Sequence, residues 1–186
     1  MRTSSHLFHI KDSTMALIKS IRGYTPQFGK DCYLADNATI IGDVVTGDNC
    51  SIWFNAVVRG DVHYIRIGHN VNIQDGAVIH CTFETAPTNI GDNVSIAHKA
   101  IVHGCTVEDN VLIGMNAVVM DNAVVGSNSI VAAGSVVLED TIIEPGSVYA
   151  GIPAKKVKDI SQELTRDLLE RISKKYITYA GWYRDA

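Results

Sequence analysis

The sequence predicts an all-β repeat fold, a triangular prism of short parallel strands, followed by one C-terminal α-helix. Val107, Ile113, Val119, Val125, Val131, Val137, Ile143 and Tyr149 recur at every sixth position. The positions two residues earlier, from Cys105, Val111 and Ala117 to Thr141 and Ser147, are nearly all small or β-branched. A helix repeats every 3.6 residues and a flat strand every two, so a sustained period of six requires short strands separated by corners. Each corner turns the same aliphatic side chain inward. With three hexapeptides to a turn, about eighteen residues make one coil, and coils stack at about the 4.8 Å spacing of neighbouring strands.

Taken from the N-terminus, residues 1–14 lack the apolar segment of a secretory signal and precede a second methionine, Met15. They read as an extension or an upstream start, and His6 and His9 carry no weight. The prism is expected over 15–158. Its inward positions are Leu34, Ile40, Thr46, Ile52 and Val58, then Ile67, Ile73 and Ile79, then Ile90, Ile96 and Val102. Three steps break the count: Val58 to Ile67 is nine residues, Ile79 to Ile90 eleven, and Val102 to Val107 five. The breaks fall beside Arg59, His80 and His103. Beyond Pro153, the basic stretch Lys155, Lys156, Lys158 reads as a solvated turn, and Ser161 as a helix N-cap. Over 159–186, Leu164, Leu168, Ile172 and Tyr176 recur at intervals of four, with Leu169, Ile177 and Ala180 widening the stripe. That amphipathic helix is expected to pack along the outside of the prism and against part of a neighbouring subunit.

Composition narrows the function classes. The chain of 186 residues is 46% hydrophobic, enough for one domain with a sizeable core, and its net charge of −4 argues against nucleic acid or an acidic membrane surface as partner. No apolar run approaches the roughly 20 residues of a membrane span, and a cytoplasmic location is expected. Cys32, Cys50 and Cys105 occupy small-residue positions of the repeat and read as buried packing groups. Cys32 and Cys50 lie one coil apart, within reach of a disulfide, but reduced thiols are expected. Cys81, without a CxxC partner, is also structural.

The histidines carry the chemistry. His80 follows Ile79 and His103 follows Val102, and these core positions are one full coil apart if the long excursion after Ile79 counts as one step. The two imidazoles should therefore project from one corner, close enough to bind one metal ion. Arg59, after Val58, falls in the same column one coil below. His98 follows Ile96 by two and belongs to the preceding corner, above Asp75. Five extended residues separate it from His103, a reach of up to about 16 Å. Three prisms packed about a threefold axis would let His98 of one subunit face His80 and His103 of the next. Three neutral imidazoles leave zinc an open position, where a bound water's pKa falls to about 7. His63 and His69 show no such convergence.

The segments Val57-Val58-Arg59-Gly60-Asp61, Asn72-Ile73-Gln74-Asp75-Gly76, Ile79-His80 and His98-Lys99-Ala100-Ile101-Val102-His103-Gly104 resemble the gamma-class carbonic anhydrase family of hexapeptide-repeat proteins. The similarity runs from about Met15 to the C-terminus. It implies a left-handed parallel β-helix, a homotrimer, and zinc (or Fe2+) at each subunit interface, ligated by His80 and His103 of one chain and His98 of another. It implies that Arg59, Asp61 and Asp75 form a charged network, that Gln74 hydrogen-bonds the metal-bound water or bicarbonate, and that Asn72 supports the pocket. The sequence departs from the family's best-characterised branch in three places. Val62 replaces a glutamate, the loop Cys81–Asn89 is short with Glu84 near but out of register with a proton-shuttling glutamate, and Tyr176 is kept while Thr178 replaces an asparagine. Loss of a positioned proton acceptor slows such chemistry by about 10²- to 10⁴-fold. The implied activity is reversible hydration of carbon dioxide. An acyltransferase using acyl-coenzyme A, or a metal-binding trimeric scaffold of little activity, are the alternatives the same fold leaves open.

Overall fold

The computed structural model describes residues 15–161 and 171–184. Strands mostly of two or three residues stack in parallel into a solenoid of about seven turns. The strands Thr39–Thr46 and Val57–Ile67 are longer because they continue around a corner, and so join two of the three faces into one sheet. That corner is tight: a Cβ on Gly42 (φ +79°) would lie 2.3 Å from the Gly60 carbonyl oxygen, so glycine is required there both by φ and by space.

The inward column is continuous. Ile40, Val58, Ile79, Val102, Val119 and Val137 pair in register from coil to coil, and each is completely buried. The breaks in the six-residue count are visible as unequal coils. Asn49, Asn70, Asn93, Asn110 and Asn128 stand on one corner at separations of 21, 23, 17 and 18 residues. The three extra residues after Val58, the five after Ile79 and the one missing after Val102 account for the first three values. All five asparagines have φ between 56° and 58°, a left-handed conformation that Asn tolerates better than most residues. Each passes a side-chain amide hydrogen bond to the next at 3.0–3.3 Å.

At the C-terminal end the basic stretch is not a turn. Ala154–Asp159 forms a strand antiparallel to Ser147–Gly151, with Lys156 paired to Glu144 at 2.6 Å and to Asp159 at 2.9 Å. Lysines on an open edge strand discourage further strand addition. A helix spans Arg171–Arg184. It buries Ser173 and Ala180, sets Tyr176 edge-on to Trp53 at 5.4 Å, and ends with Arg184 donating to the Asp31 carbonyl at 2.6 Å. Ser161, the expected N-cap, is exposed; the helix start expected after it and the positions Leu164, Leu168 and Leu169 fall on 162–170, outside the described residues, as does the extension 1–14. Among the described residues no helix is long and apolar enough to cross a membrane.

All four cysteines are free thiols. Burial pushes Cys81 up to about 11 and Cys105 up to about 12, whereas the neighbouring Cys50 thiol lowers Cys32. Cys32 is also the one of the four that is not fully buried. At pH 7.5 the folded protein should therefore react with Ellman's reagent rapidly at Cys32 alone and with all four thiols once unfolded, and rapid native labelling of Cys81 or Cys105 would contradict this.

Candidate metal centre

The residues singled out by sequence divide into two groups on two corners of the chain. The first stands where the face carrying Val78–His80 and Ile101–His103 ends. His80 pairs in register with His103, and Val58 pairs with Ile79, which sets Arg59 directly below His80. Arg59 Nη1 donates to Asp61 Oδ2 at 2.6 Å, and Asp61 Oδ1 lies 3.1 Å from His80 Nε2. The other nitrogen of His80, Nδ1, lies 3.1 Å from His103 Nε2. His103 Nδ1 in turn meets Asp121 Oδ1, and Thr82 Oγ1 donates to Asp121 Oδ2. Burial disfavours the Asp61 anion, but the hydrogen bonds from Arg59 and His80 outweigh it and hold the carboxyl below its usual value. Burial also lowers His80, against the pull of Asp61, and so favours the neutral imidazole whose lone pair a metal needs.

The second group stands where the same face begins. His98 Nδ1 lies 2.9 Å from Asp75 Oδ2, and the Lys99 amide donates to the Asp75 carbonyl at 2.9 Å, which confirms the stacking of His98 over Asp75. The His98 side chain is 41% exposed, against 17% for His80. On the adjoining face Gln74 Nε2 donates to Asn72 Oδ1 at 2.9 Å and Asn72 Nδ2 donates to Ser95 Oγ at 2.8 Å, with both amides buried. Tyr176 lines a pocket with Asp75, Trp53 and Phe54, and burial, aided by the Asp75 charge, raises its hydroxyl to about 12. Thr178 is exposed and donates to the Lys174 carbonyl of its own helix.

The donor set fits a metal. Two nitrogens bound at 2.0–2.1 Å to a tetrahedral zinc lie about 3.3 Å apart, close to the 3.1 Å between His80 Nδ1 and His103 Nε2. Each of the three histidines has its remaining ring nitrogen on an aspartate: His80 on Asp61, His98 on Asp75, His103 on Asp121. Metal-ligating histidines characteristically donate that second N–H to a carboxylate, which fixes the tautomer. By contrast, the Nδ1 atoms of His63 and His69 accept backbone amides of Tyr64 and Asp48. Among the described residues no three His, Cys, Asp or Glu side chains of one chain converge as a metal site, in keeping with His98 standing on a different corner.

Two residues escaped sequence reading. Asp121 lies in a regular part of the repeat, at the second position after Val119. Its partner across the site is a histidine one coil away, a relation that only the register reveals. His63 lines a cleft together with Arg22, Asp61 and Glu84. Glu84 is exposed in the excursion loop and lines the same cleft.

Residues 104–139 match the family described as bacterial transferase hexapeptide (six repeats). The chain is 54% identical over 141 residues, 76% of its length and 88% of the relative's, to the Methanocaldococcus jannaschii protein named probable carbonic anhydrase. It is 43% identical over 168 residues, 90% of its length and 91% of the relative's, to the carbonic anhydrase of Geobacillus kaustophilus. Among solved structures, a hexapeptide transferase family protein from Anaplasma phagocytophilum superposes with a TM-score of 0.85 at 38% identity, covering 90% of this chain and 98% of that one. With these relatives spanning nearly the whole solenoid, and with the paired histidines in place, the chain belongs to the gamma-class carbonic anhydrase family of hexapeptide-repeat proteins.

Proposed function

We propose that the protein catalyses metal-dependent, reversible hydration of carbon dioxide to bicarbonate, in a homotrimer whose zinc or Fe2+ sites each take His80 and His103 from one subunit and His98 from the next. The observation that carries this reading is the division of three aspartate-backed histidines between the two edges of one face. Between those edges the outward positions Val57, Val78, Ile101, Val118 and Val136 form an in-register aliphatic ladder, and Ile101 is 38% exposed. An uncovered apolar ladder favours burial against another copy, and a threefold arrangement sets the leading edge of one such face against the trailing edge of the next.

A zinc ion in that position supplies a Lewis acid that brings the pKa of a water near 7. Arg59 and Asp61 hold the His80 ring, and Asp75 holds that of His98. Gln74 spends one amide N–H on Asn72 and keeps the second for an oxygen of bicarbonate, without competing for the metal. Glu84 and His63, in the cleft that Asp61 also lines, offer acceptors for the proton released in each cycle. An acyltransferase reading rests on the fold alone. Such chemistry needs one histidine base and has no use for three imidazoles, each backed by a carboxylate.

The test is metal analysis with stopped-flow carbon dioxide hydration on the native protein and on His103→Ala. About one metal per chain and histidine-dependent hydration are expected. Metal without hydration would leave a scaffold, and a metal-free protein that turns over acyl-coenzyme A would replace the proposal outright.

A further inference from the structure

We propose that Asp121 is a positioning residue for the metal centre: clamped by Thr82 and admitted by Gly104, it holds His103 in the tautomer whose Nε2 faces His80. The inference deepens the metal reading above and rests on it. Three independent features of the chain meet at this carboxylate. Its Oδ1 accepts from His103 Nδ1, which leaves Nε2 unprotonated and directed at the site. Its Oδ2 accepts from Thr82 Oγ1, so both oxygens are committed and the carboxylate plane is fixed. Its reach depends on the absence of a side chain at residue 104. A Cβ on Gly104 (φ +54°) would stand 2.4 Å from Asp121 Oδ1 and 2.9 Å from Ala86 Cβ. The backbone holds the two coils together at the same point, with the Asn122 amide donating to the Gly104 carbonyl at 2.7 Å.

The assignment gives the excursion after His80 a task. Residues 81–89 are five longer than a regular step requires, and within them Thr82 is tied back by its amide to the Ala86 carbonyl at 3.0 Å. The loop thereby spans two coils: it leaves the chain at His80 and supplies the hydroxyl that fixes the aspartate of the coil beyond His103. A neutral imidazole free in water favours the opposite tautomer, with the proton on Nε2, which cannot ligate through that nitrogen. A hydrogen-bond acceptor at Nδ1 reverses the preference. Asp75 stands at the same nitrogen of His98, whereas Asp61 stands at Nε2 of His80, where it holds the common tautomer and leaves Nδ1 for the metal. Without Asp121, His103 would be the one ligand lacking this support.

The experiment compares native protein with Asp121→Ala, Asp121→Asn and Thr82→Val. Zinc affinity is measured by chelator competition, and the His103 tautomer by nitrogen NMR of the metal-free protein. Asp121→Ala should weaken zinc by about 10- to 100-fold and move the His103 proton toward Nε2. Asp121→Asn, which retains an acceptor oxygen, should recover much of both, and Thr82→Val should show a smaller loss in the same direction. Should Asp121→Ala fail to fold, Thr82→Val and the native tautomer still decide. Unchanged zinc affinity and tautomer in the variants, or a native His103 protonated at Nε2, would overturn the proposal. A native protein that binds no metal, yet whose His103 tautomer still follows residue 121, would sink the metal reading while leaving the positioning role standing.

Discussion

Mixing His98→Ala chains with His103→Ala chains, by co-expression or by refolding together, is expected to restore carbon dioxide hydration that neither variant shows alone. In the proposed assembly each site takes His98 from one subunit and His103 from its neighbour, so either substitution by itself removes a ligand from every site. Loss of one of three protein ligands opens zinc to solvent and costs both affinity and the tuned pKa of its water. In a mixed trimer built from equal amounts, an intact site needs a His103→Ala chain to offer His98 and a His98→Ala chain to offer His103, in that order around the axis. Random assembly gives about one interface in four with that order, and so about a quarter of native activity and metal content. Native mass spectrometry would establish that mixed trimers form. If they form and neither metal nor activity returns, the two histidine groups do not meet across a subunit boundary.

That prediction draws on the part of the molecule most legible in the sequence. An aliphatic side chain every six residues is a direct consequence of the solenoid's geometry, because each strand is short and each corner must return one side chain to the axis. Counting that pattern through its three irregular steps places His80 over Arg59 and under His103, and His98 over Asp75, as the strand pairing has them. The count gives register along the axis but says nothing about which outward side chains reach one another. Asp121 touches His103 only because Gly104 leaves room and Thr82 comes in from the excursion, and none of these three stands out by type or spacing. The strand Ala154–Asp159 was hidden for another reason. Its lysines carry no hydrophobic alternation, and the strand exists because it pairs with Ser147–Gly151 at the open end of the sheet. The asparagine corner, by contrast, was available: a residue type tolerant of positive φ recurs once per coil and records the length of each coil directly.

Ile79→Ala should be strongly destabilising although it touches no polar atom, and it should disable the metal centre as well. Ile79 is fully buried and packs in register between Val58 below and Val102 above. Those are the residues that immediately precede Arg59 and His103. Truncating a fully buried isoleucine costs about 2–5 kcal/mol, because the cavity collapses only in part. Ile143→Ala is the matched control, since Ile143 is 1% exposed and pairs with Val125 toward the far end of the solenoid. It should cost a comparable amount in urea unfolding. A stacked solenoid transmits a packing defect mainly to its neighbouring coils, so the two variants should part company at the metal. Ile79→Ala lets His80 and the excursion behind it shift, opening the 3.1 Å approach of the two imidazoles, and its zinc affinity should fall. Ile143→Ala should retain native zinc affinity under conditions where it remains folded. Equal loss of zinc in both would mean that general destabilisation empties the site, whereas retention in both would mean that the inward column does not set the histidine register.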